Sequence, residues 1–202
     1  MTATDAANAL REKFAPSITG ENDFRGEKSL TLEASAMRAA CELAKGSLGF
    51  DYLIDISSVD HFGDEPRYEL VYELYSMKDG VHLRLKCTVS EDDCSAATVS
   101  DLWPTADWHE REIFDMMGIR FNGHPDLRRI LMWDGYPFHP LRKDFPLEGK
   151  PSEVPDVAFS AVAPLAGGPF AALPSDGSTQ VREPRARHAG EIARPEKFIE
   201  EP

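Results

Sequence analysis

Residues 67–89 read RYELVYELYSMKDGVHLRLKCTV, two runs of alternating apolar and polar side chains around a central Asp-Gly pair at 79–80. Alternation with a period of two is the pattern of a β-strand with one buried face. Asp-Gly is the preferred two-residue hairpin loop, because both of its positions take a positive φ. The predicted cross-strand pairs are Leu74–Leu85, Tyr72–Cys87, Leu70–Val89 and, on the outer face, Glu73–Lys86. The segment therefore predicts a hairpin with its apolar side chains on one face.

The chain on either side of this hairpin predicts helices and short strands. Helical spacing of apolar residues predicts helices over 4–14 and 35–45, and short apolar segments at 30–32 and 52–58 predict strands. After Trp103-Pro104, a third helix is expected from Thr105 to Met117, with Gly118 ending it. This order is typical of an α+β domain with a mainly antiparallel sheet and packed helices, which we assign to residues 1–149.

The last segment, residues 150–202, has a different composition. It contains eight of the fifteen prolines and little hydrophobic periodicity. Its long uncharged run, 157–175, is interrupted by prolines and cannot form a membrane-spanning helix. We therefore expect an extended Pro-rich C-terminal tail that wraps a partner subunit, and association with a membrane only through other subunits.

The amino-acid composition argues against several classes of function. The chain has 202 residues, 42% of them hydrophobic, and a net charge of −13. Such an acidic chain lacks the basic face that nucleic acids and anionic lipid surfaces require. The three cysteines include no Cys-x-x-Cys pair, which argues for a reducing compartment and against an iron–sulfur cluster held by this chain alone. No signal peptide is recognisable at the N-terminus.

Two dense charged blocks follow the third helix's start. The first runs from Glu110 to Leu131 and the second from His139 to Pro146. Their acids, with His109, resemble a general acid/base cluster, but the alternative is a structural stripe on one helix that faces a partner, with Arg111 and Asp115 as an i,i+4 pair. A zinc-protease motif fails because Ile113 stands where the second histidine is needed.

The histidines and arginines of these blocks also have structural explanations. His124 and His139 are each followed by proline, and we expect them to hold Pro-rich loops by hydrogen bonds rather than to bind zinc, which would need further ligands. The arginines, interleaved with aromatic residues, are typical of subunit interfaces, where the guanidinium binds carboxylates in a bidentate geometry.

The same blocks resemble the C subunit of the proton-translocating NADH–quinone oxidoreductases, respiratory complex I. In that family the signature begins with Glu-Arg-Glu-x-x-Asp and two apolar residues. Six residues of any type, a His, three residues of any type, an Arg, one residue of any type and two apolar residues follow. This chain matches each position between 110 and 131. The signature and expected subunit-interface residues here are Glu110, Arg111, Glu112, Asp115, His124, Arg128, Arg129, His139, Arg142, Lys143 and Asp144. No catalytic, cofactor-binding or metal-binding residue is expected.

The resemblance implies a structural subunit of the peripheral arm, on the cytoplasmic side of the bacterial inner membrane. Such a subunit docks on the D subunit, which forms much of the quinone site beside the B subunit, an iron–sulfur protein. The complex couples electron transfer from NADH through FMN and Fe–S clusters to quinone with proton translocation. All of these cofactors are expected on partner subunits and none in this chain.

Two other functions remain open at this point. Membrane-bound energy-converting hydrogenases and related dehydrogenases use a homologous subunit. A self-standing hydrolase or lyase would use His109, Glu110 and Glu112, and it would need a pocket and a further ligand that the sequence does not reveal.

Overall fold

The computed structural model describes residues 1–134 and 136–146 of the chain. Within this part it forms three α-helices and seven strands, together with a short 3-10 turn at Ala15–Ser17. The helices are α1 (Ala3–Phe14), α2 (Ala34–Gly46) and α3 (Ala106–Met117). The strands are β1 (Ile18–Phe24), β2 (Glu27–Glu33), β3 (Tyr52–Asp60), β4 (Tyr68–Ser76), β5 (Val81–Val89), β6 (Ser95–Ala97) and β7 (Arg120–Asn122).

Five of the strands form one sheet in the order β1-β2-β5-β4-β3. Neighbouring strands are antiparallel except for β2 and β5, which are parallel. Parallel neighbours need a crossover connection, and here the chain between them runs through α2, β3 and β4. Strands β6 and β7 form a separate parallel pair. The predicted α+β class with a mainly antiparallel sheet is confirmed, and the parallel pair makes the sheet mixed.

One face of the sheet is covered by helices and forms the core. Helices α1 and α2 pack on β2 and β5, and α3 packs on β3. Along β4 and β5, alternate side chains are buried, as the period of two predicts. The fully buried side chains on these two strands include Tyr68, Leu70, Tyr72, Leu74, Leu83, Leu85 and Cys87.

The β4–β5 hairpin is confirmed, but its predicted register is wrong by two residues. Leu74 lies opposite Leu83 rather than Leu85, and the loop has four residues, 77–80. Among the loop residues only Gly80 has a positive φ (65°), and its N–H donates to the Ser76 carbonyl at 2.9 Å. A two-residue Asp-Gly loop would need a positive φ at both positions, whereas a four-residue loop needs it only at the glycine. A shift of two leaves each side chain on its predicted face.

The first hairpin, β1–β2, was not predicted beyond residues 30–32. Its turn places Arg25 (φ 54°) and Gly26 (φ 85°) in the left-handed region. Strand β1 is an edge strand whose side chains are largely exposed, so it carries no apolar alternation by which a sequence pattern could reveal it.

Helix α3 has the predicted position. It begins after Thr105 and ends at Met117, with Gly118 in the left-handed region at φ 80°. The indole of Trp103 anchors its start by donating to the Phe50 carbonyl at 3.2 Å. These contacts fix α3 beside β3 and leave its C-terminal end facing the charged segment that follows.

The described helices are all too short or too polar to cross a membrane. Residues 1–134 with 139–144 belong to one compact unit. The predicted tail, residues 150–202, lies outside the described residues, as does the boundary at 149.

Candidate functional site

Residues of two charged stretches, 124–134 and 139–144, converge on the C-terminal end of α3. The last four carbonyls of an α-helix have no intrahelical partner. In α3 the first of them, on Phe114, accepts from Gly118 N–H at 3.0 Å. The Asp115 carbonyl accepts from Arg129 Nη1 at 3.1 Å and from His139 Nδ1 at 3.0 Å. The Met116 carbonyl accepts from Leu141 N–H at 3.1 Å. The Met117 carbonyl accepts from Arg142 Nε at 2.6 Å. Cationic donors also suit the negative end of the helix dipole.

The Asp115 carboxylate holds the following loop from inside. It is fully buried, and its Oδ2 accepts from the backbone N–H groups of Ile130 (3.0 Å), Leu131 (2.7 Å) and Met132 (2.8 Å). Its Oδ1 accepts from Arg129 Nη1 at 2.5 Å. Burial tends to raise the pKa of this carboxyl, but the three N–H groups and Arg129 outweigh burial and lower the pKa below its usual value. Asp115 is therefore ionised at neutral pH and fixes residues 129–132 against α3.

Gly118 is the point where the second charged block packs on the helix end. A Cβ at this position would lie 2.5 Å from Arg142 Nη2 and 2.7 Å from His139 Nε2. The Arg142 guanidinium also lies over the Tyr68 ring, 5.5 Å from its centroid. Burial lowers the pKa of His139, so its imidazole is neutral at pH 7. The prediction that His139 holds its Pro-rich loop by hydrogen bonding is confirmed.

Arg111 joins the same loop to the side of α3. Its Nε and Nη2 donate to the carbonyls of Arg128 (3.2 Å) and Arg129 (3.4 Å), and its guanidinium lies 5.2 Å from the centroid of the Trp108 ring. The predicted i,i+4 pair of Arg111 with Asp115 is replaced by these bonds and by the Asp115–Arg129 pair. Arg111 thereby sets residues 128–131 alongside Trp108.

An exposed surface results from this arrangement, and we call it the α3 surface. It consists of Trp108, Glu112, Arg128 and Leu131. Trp108 is 60% exposed and Leu131 62% exposed, and the Arg128 side chain, paired with Asp126 at 2.8 Å, is 67% exposed. Aromatic and arginine side chains that stand out from a rigid base are the residue types that dominate protein interfaces.

Glu110 lies on the opposite side of α3 and is fully buried. Its Oε1 accepts from Val99 N–H at 2.7 Å and its Oε2 from the Thr98 hydroxyl at 2.5 Å. The buried His124 ring accepts from Asp126 N–H through Nδ1 (3.0 Å) and directs Nε2 at Asp107 Oδ1 (3.1 Å). The prediction that His124 holds its loop is confirmed by these bonds. Burial raises the pKa of Glu110 to about 7.

Arg67 forms a second buried network that the sequence did not reveal. Its side chain is 4% exposed and binds Asp60 in a bidentate geometry, with both N–O distances 2.9 Å. It also donates to Glu91 (2.6 Å) and to Asp144 (2.7 Å). The Lys143 N–H donates to Asp60 Oδ2 at 2.8 Å. Arg67 thus fastens the second charged block to the ends of β3 and β4.

The signal that could have revealed Arg67 was weak. Asp60 and Arg67 stand at adjoining ends of two strands whose buried face is otherwise apolar. Nothing in the sequence identifies Asp144, 77 positions away from Arg67, as their partner. Of the predicted set, the structure therefore assigns Lys143 and Asp144 to this network.

The expectation of one exposed acidic stripe on α3 is corrected. Glu110 and Asp115 are fully buried, whereas Glu112 is exposed. Helix geometry separates Glu110 from Glu112, since residues two positions apart do not share a face. Asp115 is three positions beyond Glu112, and it is buried because residues 129–132 bind its carboxylate and cover it. That these residues form a subunit interface stays a prediction, and among them Glu112, Arg128, Lys143 and Asp144 are exposed.

The cluster expected of a self-standing hydrolase is dispersed. His109 pairs with Asp55 at 3.1 Å, Glu110 points into the core and Glu112 points to solvent. Across residues 1–134 and 136–146 there is no group of three or more His, Cys, Asp or Glu side chains placed to hold a metal ion. The site's charges instead bind backbone and one another.

The chain belongs to the family described as the respiratory-chain NADH dehydrogenase 30 Kd subunit, whose profile matches residues 30–151. Curated relatives narrow this to the C subunit of NADH-quinone oxidoreductase. That subunit from Geobacter sulfurreducens is 48% identical over 145 residues, which cover 71% of this chain and 90% of that protein. The second form of the C subunit from Rhizobium meliloti is 50% identical over 128 residues, 57% of this chain and 70% of that protein. The resemblance inferred from the charged blocks is confirmed.

Solved structures share the fold. A trypsin-resistant fragment of Nqo5 superposes with a TM-score of 0.54 at 32% identity, covering 60% of this chain and 98% of the fragment. A chain of the membrane-bound sulfane sulfur reductase, an archaeal respiratory membrane complex, superposes with a TM-score of 0.61 at 27% identity, covering 71% of this chain and 85% of that one.

Proposed function

We propose that this chain is a structural subunit of an NADH–quinone oxidoreductase that couples electron transfer from NADH through FMN and Fe–S clusters to quinone with proton translocation. The observation that carries the proposal is that the charged side chains around α3 fall into two groups, buried ones that bind the neighbouring loop and exposed ones on the α3 surface. The buried charges hold residues 124–134 and 139–144 in place, and the α3 surface is left pointing outward. A rigid surface with an exposed tryptophan and arginine suits docking on another subunit.

In this proposal the α3 surface docks on the D subunit of the complex, beside the iron–sulfur B subunit. The chain lies on the cytoplasmic side of the inner membrane and reaches the membrane only through the complex. The names of its relatives support membership of such a complex, and the exposed α3 surface supports docking on a neighbouring subunit. Lys143 and Asp144, both exposed, extend the surface available to partners.

The electron carriers belong to the partner subunits in this proposal. The thiols of this chain are poor cluster ligands, because a ligand must be a thiolate. Burial raises the pKa of Cys41 and raises that of Cys87 to about 12. Cys94 is partly buried, and burial raises its pKa as well. The test is metal and flavin analysis of the purified folded chain, in which stoichiometric iron or flavin would contradict the proposal.

A second candidate is the homologous subunit of a hydrogenase or another respiratory complex with a different electron donor. The likeness to the sulfane sulfur reductase chain favours it. The two candidates are separated by purifying the native complex from membranes through a tag on this chain. Flavin and NADH-dependent quinone reduction that co-purify support the first candidate, whereas a complex that oxidises hydrogen or another donor, and not NADH, supports the second.

A further inference from the structure

Glu110 differs from the other buried carboxylates in its partners. Asp115 and Asp60 are each paired with an arginine, Arg129 and Arg67. Glu110 is equally buried, but among residues 1–134 and 136–146 no Lys or Arg forms an ion pair with it. A carboxylate that is buried without a cation is costly and tends to take up a proton instead.

The ring of His124 is directed at Asp107 rather than at Glu110. Its Nδ1 accepts a hydrogen bond from Asp126 N–H, which leaves Nε2 as the nitrogen that can donate. That Nε2 lies closer to Asp107 Oδ1 (3.1 Å) than to Glu110 Oε2 (3.9 Å). The hydrogen-bond partners of the Glu110 carboxyl are therefore Thr98 and Val99.

Most of the remaining groups around Glu110 are acidic or neutral, and the one arginine among them, Arg38, binds Asp101 and the Thr98 carbonyl rather than Glu110. The titratable and charged groups that face it or its partners are Asp107 on α3, Asp101 and the Arg38 side chain bound to it, Cys41 on α2, Tyr72 on β4, and His124. Burial and, to a smaller extent, the carboxylates of Asp107 and Asp101 together raise the pKa of Glu110 to about 7 despite its bonds to Thr98 and Val99.

A chain of hydroxyl groups leads from Glu110 toward the surface. Thr98 Oγ1 lies 2.5 Å from Glu110 Oε2 and 2.8 Å from the hydroxyl of Ser100, where either oxygen can donate. Ser100 is partly exposed, and its N–H also donates to Thr98 Oγ1 at 3.1 Å. Each hydroxyl has one donor and two acceptor sites, so this chain can run in either direction.

We propose that Glu110 is a proton-binding site of the folded chain, and that the Thr98 and Ser100 hydroxyls carry the proton between it and solvent. In the ionised state Ser100 donates to Thr98, and Thr98 donates to the carboxylate. When a proton enters at Ser100, each hydroxyl passes its own proton inward, and a new O–H bond forms on Glu110. The protonated acid then donates to Thr98, Thr98 to Ser100, and Ser100 to solvent. No electron moves, and one positive charge is taken up.

The site makes the packing of α3 on residues 98–101 depend on pH near neutrality. The folded-state pKa of Glu110 lies above the unfolded value of 4.5, so the folded chain binds more protons than the unfolded chain between pH 4.5 and 7. Stability is therefore lost as pH rises through this window. Asp115 and Asp60, whose pKa values are lowered, have the opposite sign and act only in acid.

The direct test is an infrared pH titration of the full chain, following the carbonyl band of protonated carboxyl groups. The parent should show one carboxyl that ionises near pH 7. That signal should vanish in Glu110→Gln and persist in the matched control Glu112→Gln, which changes an exposed acid on the same helix. Thr98→Val should move the midpoint upward, because it removes a donor to the carboxylate, and should slow the response to a pH jump.

Melting curves give a second measurement. Between pH 5 and pH 7 the melting temperature of the parent should fall relative to that of Glu110→Gln. The proposal would be overturned if, on raising the pH, every protonated-carboxyl band were already lost by pH 5.5. It would also be overturned by a carboxyl band that titrates near pH 7 and is unaffected by both Glu110→Gln and Thr98→Val. If Glu110→Gln does not fold, the parent titration with Thr98→Val and Glu112→Gln decides. An unchanged pH-jump response in Thr98→Val would overturn the hydroxyl path.

Discussion

Buried charges in this chain are held by several partners each. Arg67 binds three carboxylates, those of Asp60, Glu91 and Asp144. Asp115 accepts from three backbone N–H groups and from Arg129. A buried ion pair adds little to stability compared with apolar packing, yet removal of one partner is strongly destabilising because the other charge stays in the core. These residues therefore secure the shape of the segment around α3 more than they add to the overall stability.

Asp115→Asn should cost about 3 kcal/mol or more in the free energy of unfolding. If the amide oxygen takes the place of Oδ2, the NH₂ group faces the Arg129 guanidinium, donor against donor, and the cation loses its counter-charge. Urea denaturation of the full chain measures the change. The matched control is Asp126→Asn, since Asp126 and Arg128 form an exposed pair, and exposed pairs contribute about 0–1 kcal/mol. Equal effects of the two substitutions would contradict this assignment.

The lowered pKa values of Asp115, Asp60 and Asp144 also predict acid sensitivity. Arg67 is the largest cause for Asp60 and Asp144, and at Asp115 the backbone N–H groups and Arg129 overcome the effect of burial. Because the folded pKa lies below the unfolded value of 3.8, their stabilisation is complete above that pH and is lost as pH falls through the folded pKa. The urea midpoint should fall more steeply below pH 4 in the parent than in Asp115→Asn; parallel curves would be inconsistent with this linkage.

At the scale of elements, the C-terminal end of α3 is the organising feature. Its left-handed Gly118 turns the chain and lets Arg142 and His139 approach the last carbonyls. A side chain here would meet both a strained backbone and two packed side chains. The end of the helix and the charged segment therefore depend on one glycine.

Gly118→Ala should destabilise the chain by about 2 kcal/mol, since a left-handed non-glycine residue alone costs about 1–2 kcal/mol. Gly46→Ala is the control, because nothing lies within 4 Å of a Cβ at that helical position and its φ is not positive. There alanine should be neutral or stabilising by up to about 1 kcal/mol. Thermal melts of both variants measure the difference, and a Gly118→Ala variant as stable as the control would contradict the packing described for this turn.

Local patterns were sufficient to predict most of the elements. The period of two at 67–89 and the helical spacing ending at Gly118 predicted β4, β5 and α3, because each signal is contained in a few neighbouring residues. The hairpin register was missed since Asp79-Gly80 fits both a two-residue and a four-residue loop. Strand β1 was missed because an exposed edge strand has no apolar face to detect.

The site was predictable in composition but not in geometry. The sequence identified the residue types of the charged blocks and the loop-holding function of His124 and His139. It did not show which acids are buried, nor that Arg67 binds Asp144 across 77 positions, because such partners are set by tertiary packing. Glu110 and Glu112 look alike in sequence, and only the fold separates a core carboxyl from an exposed one.

At the scale of the whole molecule, a mixed sheet with helices on one face supports the charged segment at the end of α3. The family assignment gives this arrangement its context, and docking through the α3 surface is our proposal. Interface arginines and aromatics typically cost about 2 kcal/mol or more when truncated, because their partner groups lose a desolvated contact. Arg129 and Arg142, which bind the end of α3, should instead affect the stability of the chain itself.

Docking through the α3 surface is tested by measuring the amount of assembled complex, and quinone reduction per assembled complex, in membranes of a strain whose own C subunit is replaced by this chain. Trp108→Ala and Arg128→Ala are compared with Met77→Ala and Lys78→Ala, exposed apolar and basic residues of the hairpin loop. The first pair should lower the amount of assembled complex about tenfold or more, while each complex that forms turns over at the parent rate. The second pair should change neither quantity. Normal assembly with lost turnover in Trp108→Ala or Arg128→Ala would contradict a docking function for this chain.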